Sequence, residues 1–139
     1  MIFLEENMDI NEMQAIGIDA IEIDRIKKVY EKFGDRFLSR IYTKKEIALC
    51  RGRILELAAR FAGKEAAMKT LGTGAIGIGW KEIEILSNRR GKPTINFHGK
   101  AKERANYINL RGTDISITHL NKLAIVIVVG ISEKESGDV

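Results

Sequence analysis

The chain has 139 residues, 45% hydrophobic and 30% charged, the make-up of one globular domain with a modest core rather than of a disordered segment. Its longest apolar run, Leu123 to Val129, is far too short to cross a bilayer. The lone cysteine, Cys50, excludes an intrachain disulfide and a multi-cysteine zinc site and fits a reducing cytosol. A net charge of +4 and a pI near 9.2 are mildly basic and do not by themselves point to nucleic acid.

Residues 1–14 show no clear period and read as a loosely held leader; Met1 to Asn7 has no basic n-region and is not a secretory signal. Ala15 to Asp19 is a short apolar run that predicts a strand ending at Asp19. From Glu22, Ile23, Ile26, Val29, Tyr30 and Phe33 recur at helical spacing, and Gly34 reads as the stop. A short turn through Phe37, Leu38 and Ile41 follows. Thr43-Lys44-Lys45-Glu46 matches a capping box and starts a new helix at Lys44. Gly52 interrupts it, and Ile54, Leu57, Phe61 and Met68 carry another helix to about Leu71, closed by Gly72-Thr73-Gly74. Basic residues crowd the stretch from Arg25 to Lys45, partly offset by Glu22, Asp24, Glu31, Asp35 and Glu46.

The second half changes period. Lys81 to Leu86 alternates like a half-buried strand, Asn88 to Gly91 is a turn, and Pro93 to Phe97 is the partner strand. Gly99 to Leu110 suits a helix with Ala101, Ala105 and Ile108 on one side. Asp114 to His119 and Leu123 to Ile131 pair as a hairpin about Asn121-Lys122, and 132–139 form a polar tail. Hairpins without regular βαβ alternation predict an α+β fold, a single compact domain over 15–131 with an antiparallel sheet and packed helices.

Two acids have no local structural role: Asp19, at the end of an apolar strand, and Glu65, on the stripe shared by Phe61 and Met68. An ionised carboxylate in apolar surroundings is costly unless a cation or donor meets it. Magnesium takes oxygen ligands from one or two carboxylates plus substrate phosphates, so Asp19 and Glu65 are its candidate ligands. Lys69, one turn past Glu65, would offset the charge of a phosphoryl group; on spacing alone, a surface Glu–Lys pair is the favoured reading of Glu65 and Lys69. Gly72 to Gly79 is a glycine-rich loop after a helix, neither a Walker A loop nor a dinucleotide fingerprint. Ser116 and His119 lack the orienting acid and oxyanion hole of a nucleophilic pair.

Gly17-Ile18-Asp19 followed by Arg25, then Arg36 to Thr43, then Ala59-Arg60-Phe61-Ala62-Gly63-Lys64-Glu65-Ala66 with Lys69, resemble the holo-[acyl-carrier-protein] synthase family. Gly72-Thr73-Gly74, Gly91-Lys92-Pro93 and Ser116-Ile117-Thr118-His119 recur in the same order, and the resemblance spans about Ile16 to Val129. It implies a 4′-phosphopantetheinyl transferase of the short, homotrimeric type, cytoplasmic, with active sites at subunit interfaces. Such an enzyme moves phosphopantetheine from coenzyme A to a serine of an acyl carrier protein and releases adenosine 3′,5′-bisphosphate.

By matching positions, Asp19 and Glu65 would hold magnesium with the coenzyme A diphosphate, and Lys69 would contact the phosphoryl group. Arg60, Gly72, Thr73, Gly74, Pro93 and His119 would line the coenzyme A cleft; Arg25, Arg36 and Arg40 would face the acidic helix of the carrier protein. Glu65 or a water would take the serine proton. The chain departs from the family at Leu120, where a small polar residue is common, and in its longer leader. Two other readings compete: a non-catalytic basic module for RNA or an acidic protein, which leaves Asp19 and Glu65 unexplained and has few aromatics for stacking, and a metal-dependent nucleotide hydrolase using the same acids.

Overall fold

A computed structural model of the chain describes residues 12–72 and 76–133. The fold is α+β, as expected. Strand β1 (Glu12–Glu22) leads into helices α1 (Ile23–Phe33), α2 (Asp35–Ile41), α3 (Lys44–Cys50) and α4 (Ile54–Leu71). A 3₁₀ turn (Trp80–Glu82) then opens the hairpin β2 (Ile83–Ser87) and β3 (Pro93–Phe97). Helix α5 (Gly99–Tyr107) and the hairpin β4 (Leu110–His119) and β5 (Leu123–Glu133) complete the chain. The strands form a three-stranded antiparallel sheet in the order β1-β5-β4 and a separate two-stranded sheet, β2-β3.

Local signals set most boundaries. Thr43 caps α3 by accepting from the Glu46 N–H, and the Glu46 carboxylate accepts from the Thr43 N–H, which is the expected capping box. Arg51 and Gly52 adopt positive φ and separate α3 from α4. Several expectations need correction. The helix expected over Gly99 to Leu110 ends at Tyr107, and Leu110 already opens β4, expected only from Asp114. The strand expected from Lys81 begins at Ile83, after the 3₁₀ turn. The first strand continues past Asp19 to Glu22 and begins at Glu12, because β5 is long enough to pair with it throughout. The segment read as a turn through Phe37, Leu38 and Ile41 is helix α2, since all three are buried at i, i+1 and i+4. Phe33 leaves the core stripe: it is 46% exposed, with the Lys32 ammonium 5.3 Å from its ring. The expected leader and tail otherwise lie outside the described residues, as do Thr73 and Gly74.

Helix α4 is the spine. Its Ala58, Ala59, Ala62, Ala66 and Ala67 are buried, which lets the helix lie close to its neighbours. A Cβ on Gly63 would come within 2.6 Å of Ile85 Cδ1, with Ile115 and Val126 just beyond, so β2, β4 and β5 all converge there. The same helix carries a fully buried charge. Lys64 Nζ donates to Glu46 Oε1 (2.7 Å), to the Trp80 carbonyl (3.0 Å) and to the Ile83 carbonyl, while Glu46 Oε2 accepts from the Ile85 N–H (3.0 Å). Three acceptors satisfy the ammonium, and the pair ties α3, α4 and β2 together. Cys50, at the end of α3, has no solvent exposure, and burial pushes its thiol up to about 11.

Among the described residues, the three-stranded sheet is covered on one face only. Ile21, Ile115, Ala124, Val126 and Val128 lie in the core. On the opposite face Ile16 pairs with Val129 and Ile18 with Ile127, and Ile16, Ile18 and Ile127 are exposed.

Candidate active site

The site begins with the contact between β1 and α4. A Cβ on Gly17 would sit 1.8 Å from the Ala66 carbonyl oxygen, so only glycine lets the strand rest on the helix there. Two residues on, Asp19 points to the same face of β1, and Glu65 precedes Ala66 on α4. The two carboxyl groups meet within hydrogen-bonding reach. Burial first, then the Asp19 charge and the hydrogen bond with it, hold Glu65 above the usual carboxylate range; Lys69 and Arg25 partly draw it back.

Lys69 closes the group. Its ammonium donates to the Ile18 carbonyl at 2.7 Å and lies 3.4 Å from Asp19 Oδ1, with the Asp19 side chain 15% exposed and Lys69 55%. Asp19, Glu65, Lys69 and Arg25 are therefore one cluster, assembled from β1, α4 and α1. Its donor set is two hard carboxylates, one of them kept from ionising freely by the other. That is the chemistry a divalent oxygen-seeking cation relieves, and magnesium fits it. Among the described residues no third His, Cys, Asp or Glu joins to make an all-protein metal cage; a two-carboxylate site leaves room for substrate oxygens.

Arg60, Pro93 and His119 form a second group. They line an open cleft of about 660 Å³ at the β4 edge, together with Glu56, Ser87, Lys92, Asp114 and Ser116. Arg60 is 2% exposed. Its Nε donates to the Ile85 carbonyl (2.9 Å), Nη1 to Glu56 Oε2 (2.7 Å) and Nη2 to Ser87 Oγ (3.3 Å). None of Asp19, Glu65 or Lys69 lines this cleft, so among the described residues the carboxylate pair lies outside it. Gly72 caps α4 at φ 71°, a conformation glycine favours. Arg36 and Arg40 are exposed on α2. Leu120, at the hairpin tip beside His119, is 69% exposed.

The sequence alone did not reveal Lys64, Glu46 or Glu56. Glu56 is four residues before Arg60, the spacing of helical ion pairs, and that signal was present. Lys64 and Glu46 are 18 positions apart and meet only through tertiary packing.

Residues 15–122 match the model of the 4′-phosphopantetheinyl transferase superfamily. The holo-[acyl-carrier-protein] synthase of Herpetosiphon aurantiacus is 43% identical over 126 residues, covering 86% of this chain and 99% of that one. The corresponding protein of Maridesulfovibrio salexigens is 47% identical over 118 residues, with 83% and 95% covered. A crystal structure of Helicobacter pylori holo-[acyl-carrier-protein] synthase in complex with coenzyme A superposes with a TM-score of 0.74 at 36% identity, covering 83% of this chain and 98% of that one. With the α+β fold, the carboxylate pair on β1 and α4 and these matches in agreement, the chain belongs to the 4′-phosphopantetheinyl transferase superfamily and, within it, to the holo-[acyl-carrier-protein] synthases.

Proposed function

We propose that the protein transfers 4′-phosphopantetheine from coenzyme A to a serine of apo acyl carrier protein, with magnesium, leaving adenosine 3′,5′-bisphosphate. The observation that carries this reading is the meeting of Asp19 and Glu65 beside Lys69, in a chain whose relatives are holo-[acyl-carrier-protein] synthases.

Asp19 and Glu65 would hold the metal, which when bound supplies positive charge against the diphosphate. Lys69, anchored on the Ile18 carbonyl, neutralises the phosphoryl group under attack. Glu65, or a water at the site, would accept the proton of the carrier serine as that oxygen attacks the phosphorus next to pantetheine. The bond to the bisphosphate then breaks and the electron pair leaves with that phosphate. Arg60, the 72–74 loop, Pro93 and His119 receive the coenzyme, and Arg25, Arg36 and Arg40 meet the acidic carrier.

The uncovered apolar face of the three-stranded sheet supports a homotrimer, in which one chain's cleft would adjoin a neighbour's carboxylates. The activity belongs to the cytoplasm and would serve lipid biosynthesis, fatty acids included, by supplying holo carrier protein. Incubation with coenzyme A, magnesium and apo carrier protein tests the reading by mass spectrometry. The carrier gains the mass of phosphopantetheine, and Glu65→Gln loses at least about 100-fold in rate. Bisphosphate release without carrier modification would instead indicate a hydrolase, and no turnover a binding module. A Glu65→Gln protein with full magnesium-dependent transfer would remove the metal-and-base assignment.

A further inference from the structure

Arg60 reaches the cleft with its guanidinium already engaged. Nε is fixed by the Ile85 carbonyl and Nη2 meets Ser87 Oγ, both on β2, while Nη1 is held by the charged partner of the group, Glu56 Oε2 at 2.7 Å. Nη1 also approaches the Glu56 carbonyl at 3.4 Å. The two partners differ sharply in freedom. The Arg60 side chain is 2% exposed, whereas that of Glu56 is 39% exposed and can turn into water. A buried guanidinium without a counter-ion is costly, so Glu56 offsets the Arg60 charge and holds Nη1 in place in the free protein. The other fixed cation of the cleft, Lys92, is likewise paired, with Asp114 at 2.9 Å, but there both partners are exposed.

We propose that Glu56 is the resident counter-ion of Arg60, and that a phosphate group of the incoming coenzyme takes its place at Nη1. This rests on the reading that the cleft receives coenzyme A. Carboxylate and phosphate are both charged acceptors for a guanidinium, so they compete for the same donor. Glu56 thereby sets the cleft's selectivity. A doubly charged phosphate outcompetes the carboxylate, while a singly charged acid gains little over it. The residue lowers affinity for the nucleotide end of the substrate, and so favours release of the bisphosphate product.

Calorimetric titration with adenosine 3′,5′-bisphosphate tests this on the full chain. Glu56→Gln keeps an acceptor for Nη1 but removes the charge, and binds the bisphosphate about fivefold more tightly at low salt, with the gap closing as salt rises. The KM for coenzyme A falls in parallel. Glu56→Asp, which keeps the charge, does not tighten binding. No tightening in Glu56→Gln, or equal tightening in Glu56→Asp, overturns the proposal alone. A native chain that fails to bind the bisphosphate at millimolar concentration overturns both the proposal and the coenzyme A reading of the cleft. Should Glu56→Gln not fold, Glu56→Ser is judged by the same criterion.

Discussion

At Glu65, burial and the adjacent Asp19 make ionisation harder in the folded chain than in the unfolded one. The sign follows. With its folded pKa raised, Glu65 contributes stability that is complete below the ordinary carboxylate range and is lost as pH rises through the raised value. The metal-free protein at neutral pH therefore carries an electrostatic penalty at its own active site, a cost of readiness for a cation. Metal-free Glu65→Gln should melt above the native chain at pH 7.5, and the difference should vanish near pH 4. Magnesium at ten times its dissociation constant should raise the native melting temperature by about 5 °C and leave Glu65→Gln unmoved. Differential scanning calorimetry with and without chelator decides it; equal responses in both proteins would remove the metal from Glu65.

At the level of elements, the junction of β1 with α4 is where the site is made. Gly17→Ala would drive a methyl group into the Ala66 carbonyl, a backbone atom that cannot turn aside. The strand must lift, at a cost of about 3 kcal/mol or more, and Asp19 is carried away from Glu65. Chemical denaturation measures the loss, and a Gly17→Ala protein of native stability would show that the contact is not tight. The sequence announced much of this architecture. The capping box at Thr43, the interruption at Gly52 and the two hairpins were legible because each is a local signal of turn or period. Asp19 and Glu65 stood out as acids in apolar company, and the family motifs named the residues now seen clustered with Lys69 and Arg25. What stayed hidden was long-range. Nothing near Lys64 in sequence says that it is buried against Glu46 and two β2-side carbonyls, and nothing near Phe37 says that three apolar residues in seven make a helix rather than a turn.

For the whole molecule, the main feature is the side of the β1-β5-β4 sheet that no other described element covers. Ile16 and Ile18 are 61% and 54% exposed, side by side with the β5 residues they pair against. In the proposed trimer this face is buried. Ile18→Lys, which places a charge at its centre, should lower the mass in solution from three times the chain mass of 15.6 kDa to one. Light scattering reads the change, and a native chain already at 15.6 kDa would end the trimer. Transfer activity should fall with the mass, because among the described residues the cleft's lining does not include the carboxylate pair, and in the proposed trimer a neighbour would supply it.

The sealed position of Cys50 has a practical corollary. A sulfhydryl with no access to water, and with its pKa pushed up to about 11, is invisible to aromatic disulfide reagents until α3 comes away from the body of the protein. Its labelling rate under native conditions thus clocks that opening, with one built-in probe and no engineered dye. Ligands that grip the closed form should slow the clock in proportion to their occupancy, whereas prompt stoichiometric labelling would mean that α3 is not docked at all.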